Sequence, residues 1–316
     1  MDGKIRVGIS TCLLGENVRY DGGHKLDRFL RDTLGQYVEW VPVCPEVECG
    51  LPIPREAMHL EGDPDNPRLV TLRTKVDHTG RMKEWAAKRL KGLAGEGLVG
   101  FVFKSDSPSS GWKAVKVYNE NGLNPRKAGV GIFAREFTRA FPLLPVEEEG
   151  RLHDPGLREN FIERLFVFKR WQDLMKKPTR GGLVDFHTDH KLLLMAHGPK
   201  LLTELGRIVA AAKGTPPGTL YEAYLARLMS GLEQLATVKK NTNALEHIAG
   251  YFKKTLSADE RAEIKEVIGE YHRGYVPLVV PVTLLKHYVR KYDEPYLRRQ
   301  YYLNPHPAEL MLRNHV

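Results

Sequence analysis

Lys4-Ile5-Arg6-Val7-Gly8-Ile9-Ser10, followed at once by Thr11-Cys12-Leu13-Leu14-Gly15, sets the reading of the first half of the chain. It is a β-rich run with a cysteine just past its end, and a β-rich run returns twice more. Tyr37–Val43 (YVEWVPV) predicts a second strand that leads into Cys44, and Leu98–Lys104 (LVGFVFK) a third that leads into a serine-rich loop. Between them Asp27–Leu34 predicts a short helix and Gly80–Leu93 an amphipathic one. Strand alternating with helix predicts an α/β fold, a Rossmann-like parallel sheet covered on both faces. Asp63–Pro67 (DPDNP) and Glu120–Pro125 (ENGLNP) carry turn chemistry and are expected in loops.

Outward from this region the character of the chain changes. Pro145–Pro155 (PVEEEGRLHDP) is acidic and flanked by proline, and strand signals nearly vanish beyond it. Leu157–Met175, Asp189–His197, Leu201–Ala212, Leu220–Leu235, Ala244–Leu256 and Ala258–Tyr271 all space apolar residues by three and four, as helices do. Ser257 with Glu260 forms a capping-box start for the last of these. The expectation is two domains, residues 1–147 and an all-α helical bundle over 148–316, which suits a chain of 316 residues. With 42% hydrophobic and 28% charged residues the composition is that of a globular protein. No apolar run approaches the roughly 20 residues needed to span a bilayer. The N-terminus reads as a strand and not as a signal peptide, so a cytoplasmic location is expected. Residues 1–150 carry 22 Lys and Arg against 21 Asp and Glu, whereas residues 151–316 carry 26 against 18. A near-neutral half joined to a basic half predicts chemistry in the first and an anionic partner for the second.

Three cysteines are too few and too odd in number for a disulfide framework. Cys12 follows the first strand, Cys44 the second, and Cys49 comes five residues later in Cys44-Pro45-Glu46-Val47-Glu48-Cys49-Gly50. Ser105-Asp106-Ser107-Pro108-Ser109-Ser110-Gly111 follows the third. Ends of successive parallel strands lie side by side, so these loops are expected to share one edge of the sheet. Three thiolates without an obvious fourth ligand suit either a catalytic zinc or an iron–sulfur cluster with one open iron. His24 is the nearby imidazole and reads more readily as a loop or substrate residue.

Ser10-Thr11-Cys12-Leu13-Leu14-Gly15 with Val18-Arg19-Tyr20-Asp21-Gly22, Cys44-Pro45-Glu46 with Gly50-Leu51-Pro52-Ile53-Pro54-Arg55, and Ser107-Pro108-Ser109-Ser110-Gly111 together resemble, in this order, the three motifs of the TudS/RudS-type desulfidase family. The resemblance covers roughly residues 4–140. Phe186–Lys191, Leu194–His197, Gly250–Lys254 and Pro277–Tyr288 resemble the YbgA-like helical domain often fused to it. The chain departs from the pattern in one respect. Short members of the family usually carry cysteine where this chain has Ser110, and a small residue where it has Cys49.

The resemblance implies a [4Fe-4S] cluster held by three cysteines with one iron open, and Cys49 is expected as the third ligand beside Cys12 and Cys44. It implies non-redox removal of sulfur from 4-thiouridine in tRNA: the open iron binds the thiocarbonyl sulfur and water attacks the ring carbon. Glu46 is the expected general base. Ser107, Ser109 and Ser110 are expected to orient the base edge or to donate hydrogen bonds as charge develops. Arg19, Tyr20, Asp21 and Lys104 are the expected substrate contacts. Lys239, Lys240, Lys253, Lys254, Arg290, Lys291, Arg298 and Arg299 are expected to meet RNA phosphates, with Tyr251, Phe252, Tyr288, Tyr292 and Tyr301 interleaved. No DNA and no membrane partner is expected. His187, His190 and His197 read as RNA contacts or satisfied helix histidines. A desulfidase of free thiouracil, or a metal-stapled RNA-binding module without turnover, are the alternatives.

Overall fold

The computed structural model describes residues 4–119, 121 and 123–315. Met1–Gly3, Val316, and Glu120 and Gly122 of the expected ENGLNP loop lie outside the described residues. The chain divides into two compact units, Met1–Asp154 and Pro155–Val316.

In the first unit the order is β1 (Ile5–Ser10), β2 (Val38–Val43), α1 (Pro45–Glu48), β3 (Met58–Glu61), β4 (Arg68–Thr71), α2 (Thr79–Ala94), β5 (Phe101–Phe103), β6 (Val115–Tyr118), β7 (Arg126–Gly129), α3 (Ile132–Ala140) and β8 (Val146–Glu148). Strands β2, β1, β5 and β8 form, in that order, an all-parallel sheet. β1 is buried nearly throughout, which explains its lack of polar alternation: a parallel sheet is covered on both faces. Gly8 is a steric requirement, since a Cβ there would fall 2.1 Å from the Phe101 ring on the neighbouring strand. Phe101, Phe103, Phe133 and Phe137 fill the core between this sheet and α2 and α3. The expected break at residue 147 falls inside β8, whose pairing with β5 completes the sheet and carries the unit on to Asp154.

Two local expectations are corrected, and one sheet was not expected. Asp27–Leu34 forms a π-turn over Phe29–Thr33 and a 3-10 turn over Leu34–Gln36, nucleated where the Leu30 N–H donates to Asp27. The third strand spans only Phe101–Phe103. A second sheet, ordered β4-β3-β6-β7, was not legible; its four-residue strands are too short to show a period.

The second unit is helical: α4 (Pro155–Met175), α5 (Arg180–His197), α6 (Pro199–Ala210), α7 (Pro217–Leu232), α8 (Val238–Tyr251), α9 (Ala258–His272), α10 (Val279–Lys291) and α11 (Pro295–Arg298). Helix α4 is buried around most of its circumference, polar residues Asn160, Glu163, Arg164 and Arg170 included. The Ser257–Glu260 capping box forms in full. Sequence periodicity missed α10 and α11, and it started α5 at Asp189 although the helix begins at Arg180, where two glycines blur the pattern. Among the described residues no helix is long and apolar enough to cross a membrane.

Candidate active site

The parallel sheet runs from β1 outward to β2 on one side and, after a return, through β5 to β8 on the other. The direction of winding therefore reverses between β1 and β5, and open α/β sheets bind ligands beyond the C-terminal ends of the strands at such a point. A cleft of about 490 Å³ opens there. Cys12 reaches it from a 3-10 turn after β1, Cys44 from the N-cap position of α1, and Ser105–Ser110 from the loop after β5.

Burial pushes the Cys12 thiol up to about 11, with neighbouring Cys44 adding to the effect. Burial likewise raises Cys44. The two thiols face one cleft in a setting that favours the protonated form until a cation compensates.

Cys49 is placed differently from the expectation. It ends α1, and its thiol packs with Leu51, Leu60, Leu69, Met82, Val115, Val117 and Ile132 between the second sheet and α2. Its Sγ donates to the Glu46 carbonyl at 3.2 Å, and burial raises its pKa. Cys49 does not line the cleft; Ser110 does. The reason is the geometry of a single helical turn, which carries Cys44 and Cys49 to opposite ends of α1. The donor set thus suits a soft metal in part. Two thiols face the cleft, and no group of three or more Cys, His, Asp or Glu side chains is arranged around a metal position among the described residues.

Glu46 lines the cleft with both carboxylate oxygens engaged. Ser109 Oγ donates to Oε1 at 2.7 Å, and Arg55 donates to Oε2 through Nε at 2.8 Å and through Nη2. Arg55 is itself fixed by the Val18 carbonyl at 2.9 Å and the Pro52 carbonyl at 3.2 Å. Ser107 and Ser109 are hydrogen-bonded to each other at 3.0 Å, and Ser107 Oγ accepts from the Ser110 N–H. The Ser107 and Ser109 hydroxyls therefore form a connected row ending on Glu46, which Ser110 joins through its backbone N–H. Gly131 lets this loop sit down on α3: a Cβ there would lie 2.6 Å from the Ser109 carbonyl carbon.

Among the other expected contacts, Arg19, Tyr20 and Lys104 line the cleft and Asp21 does not. Asp21 turns away to cap the Gly23 N–H and to pair with Arg19 at 3.5 Å. The Lys104 ammonium is taken up by Glu149 and by Ser105, so it braces the loop. His24 lies outside the cleft, accepting from the Leu26 N–H. Sequence reasoning passed over Arg55 and Glu149 as functional groups. Their partners are distant in sequence, and only the position of Arg55 in the second quoted motif marks either of them.

In the second unit Lys239, Lys253, Lys254 and Arg290 form no ion pair among the described residues, whereas Lys291 pairs with Glu260, Arg298 with Asp293, and Arg299 with Asp185 and Asp189. Lys240 donates to the Leu235 carbonyl. Phe252 and Tyr288 are buried and belong to the core, not to a stacking surface. His187, His190 and His197 are buried as well, meeting Tyr224, the Phe186 carbonyl, and Glu163 with the Gln234 carbonyl respectively. Their helical spacing on α5 is that of core residues, which removes them as RNA contacts.

Residues 7–149 match the family described as 2-thiouracil desulfurase, and residues 191–307 match a protein family of unknown function (DUF1722). The uncharacterized protein YbgA of Escherichia coli (strain K12) is 33% identical over 137 residues, covering 43% of this chain and 81% of YbgA. Among solved structures, the [4Fe-4S]-dependent thiouracil desulfidase TudS is 31% identical, covering 48% of this chain and 95% of that one, with a TM-score of 0.40. A proline iminopeptidase of Lactobacillus helveticus is 22% identical over 251 residues, 73% of this chain and 76% of that protein. The Gly-x-Ser-x-Gly nucleophile elbow of α/β-hydrolases is absent from the present sequence. With residues 7–149 matching the 2-thiouracil desulfurase family, residues 191–307 matching DUF1722, and YbgA 33% identical over 137 residues, the chain belongs to the TudS-like family in the form fused to a YbgA-like domain.

Proposed function

We propose that the chain removes sulfur from a thiolated uracil, converting the thiocarbonyl to a carbonyl with water and releasing sulfide. Atoms and electrons balance without a redox partner: one thiocarbonyl and one water give one carbonyl and one hydrogen sulfide. The observation that carries this reading is the convergence of Cys12, Cys44, Glu46 and the Ser107–Ser110 row on a single cleft.

The group that the family implies, a [4Fe-4S] cluster, would find two thiols in the cleft, those of Cys12 and Cys44, while Cys49 packs behind it at the end of α1. When bound it supplies a thiophilic Lewis acid. The chain's own residues do the rest. Glu46 takes a proton from the attacking water with a lone pair that Arg55 and Ser109 leave open, since an ionised carboxylate offers about four acceptor positions. Arg55 and Ser109 fix the direction of that carboxylate. Ser107 and Ser110 place hydroxyl and backbone polarity beside it. Arg19 and Tyr20, with the guanidinium 5.4 Å from the ring centroid, form the rim that meets the base.

The substrate we assign is 4-thiouridine in tRNA, the base being turned out of the folded RNA to reach the cleft. Support comes from the excess of cations in residues 151–316 and from Lys239, Lys253, Lys254 and Arg290, which form no ion pair among the described residues. The test is sulfide release by anaerobically prepared full chain, with thiolated tRNA and free 2-thiouracil as parallel substrates. Sulfide from tRNA at submicromolar RNA supports the assignment. Sulfide from the free base alone overturns the tRNA part, and none from either overturns the whole.

A further inference from the structure

Charge in the cleft is paired, with two exceptions. Arg55 is taken up by Glu46, Lys104 by Glu149, and Arg19 pairs with Asp21 at 3.5 Å. Lys25 and Asp106 also line the cleft, and neither side chain has an ion pair or hydrogen bond among the described residues. The Asp21 carboxyl is held low first by the Gly23 N–H and then by Arg19, with Lys25 behind both. One cation and one carboxylate are left over, both exposed at the same opening.

We infer that this pair reads the sugar and phosphate of a ribonucleotide. The Lys25 ammonium meets a phosphate flanking the target uridine, and the Asp106 carboxylate accepts a hydrogen bond from its 2′-hydroxyl. The inference rests on the proposed function and narrows its substrate to a nucleotide unit of RNA. A free thiouracil carries neither phosphate nor sugar and leaves both groups without a partner. A phosphate gives Lys25 a charge-assisted bond, and the 2′-hydroxyl is the group by which a site tells RNA from DNA. The cleft, at about 490 Å³, is of a size that holds a ligand larger than one pyrimidine ring.

Both residues stand on fixed backbone beside the reacting groups. The Lys25 N–H donates to the Cys12 carbonyl and the Asp27 N–H to the Leu13 carbonyl, each at 2.9 Å, so residues 25–27 run as a short ladder along the Cys12 turn. Across the cleft the Lys104 N–H donates to Ser10 Oγ at 2.9 Å and the Ser105 N–H to Glu149 at 2.7 Å, which anchors the loop up to Asp106. Asp106 itself is left-handed (φ +56°), a conformation that Asp and Asn tolerate better than other side chains, and this local strain sits at the cleft.

The experiment titrates the full-length protein calorimetrically with uridine 3′,5′-bisphosphate, its 2′-deoxy counterpart and uridine; melting checks that each variant folds. Wild type should bind the bisphosphate at least about tenfold more tightly than uridine, and about threefold or more tighter than the deoxy form, the order of one hydrogen bond to a charged group. Lys25→Ala should erase the first preference and Lys25→Arg restore it. Asp106→Asn should erase the second and keep the first. Lys25→Ala with its phosphate preference intact overturns the role of Lys25. Asp106→Asn that still prefers the ribose form, including one that only binds every phosphate more tightly, overturns the role of Asp106. Wild type that releases sulfide from a thiolated uracil and shows neither preference overturns the inference and keeps the reaction. Wild type that shows both preferences and releases no sulfide overturns the reaction and keeps the nucleotide site.

Discussion

Arg55→Met isolates the group on which the geometry of the cleft turns. The guanidinium is 5% exposed and its partner Glu46 14%. Its removal deletes both hydrogen bonds to Glu46 Oε2 and leaves the Val18 and Pro52 carbonyls without their side-chain donor. Truncating one partner of a buried ion pair costs roughly 3–5 kcal/mol. Glu46 keeps Ser109 and borders an open cleft, so a smaller loss of about 2–4 kcal/mol is expected. For a unit of this size that lowers its melting temperature by roughly 5–15 °C. Three of the four tryptophans, Trp40, Trp85 and Trp112, lie in the first unit, so urea unfolding followed by fluorescence reads mainly this unit. Adding Glu46→Gln to Arg55→Met should recover part of the stability, because a neutral amide carries no uncompensated charge. If Arg55→Met unfolds within about 0.5 kcal/mol of wild type, the size of an ordinary surface substitution, the Glu46–Arg55 pair is not what organises the cleft.

The remaining predictions need less argument. Glu46→Gln should retain iron and lose at least about 100-fold in sulfide release, the usual order for a lost general base; near-normal turnover acquits that carboxylate. Gly131→Ala places a Cβ 2.6–2.8 Å from backbone atoms of Ser109 and Ser110, and should cost about 1–3 kcal/mol while displacing the serine row; unchanged melting and activity would show that the loop yields freely. Lys253→Ala with Lys254→Ala should weaken tRNA binding and reduce its salt slope by about one to two, and a slope equal to wild type removes both from the RNA face.

The parallel sheet was legible because each strand announced itself: β1, β2 and β5 are short apolar runs, and the chemistry sits just past each end. The antiparallel additions were not, since β3, β4, β6 and β7 have four residues each and take partners as distant in the chain as Leu60 and Val117. Cys12, Cys44, Glu46 and the three serines came together as sequence order and sheet topology required. Cys49 did not. Spacing places a residue along a chain, but whether a side chain after one helical turn points to the cleft or to the core depends on rotation about that turn. Here Leu60, Leu69 and Met82 offer an apolar wall that competes for the thiol. Two of the expected stacking aromatics failed for a related reason. Phe252 and Tyr288 lie beside lysines and histidines in sequence, and their helices turn them inward.

The second unit shows how much of a polar sequence pattern is spent on holding a fold. Glu163 lies in the buried face of α4, its Oε1 2.6 Å from His197 Nε2, while His197 Nδ1 faces the Gln234 carbonyl at 2.6 Å. The imidazole thus sits between two oxygens, the Glu163 carboxyl on one side and the Gln234 carbonyl on the other. Burial alone would raise the Glu163 carboxyl, but His197 and Arg313 outweigh it and hold it below the usual carboxylate range. A depressed folded value stabilises the unit fully above the unfolded value of about 4.3, and that stability is lost as pH falls through the lower folded one. Acid unfolding monitored at Trp171 should therefore steepen below about pH 4 in wild type. In Glu163→Gln the unit should be less stable at neutral pH and its stability should fall less on acidification. An identical acid dependence in the two proteins would mean that the Glu163–His197 contact carries no linked proton, and the histidines of α5 would again be open to a role beyond packing.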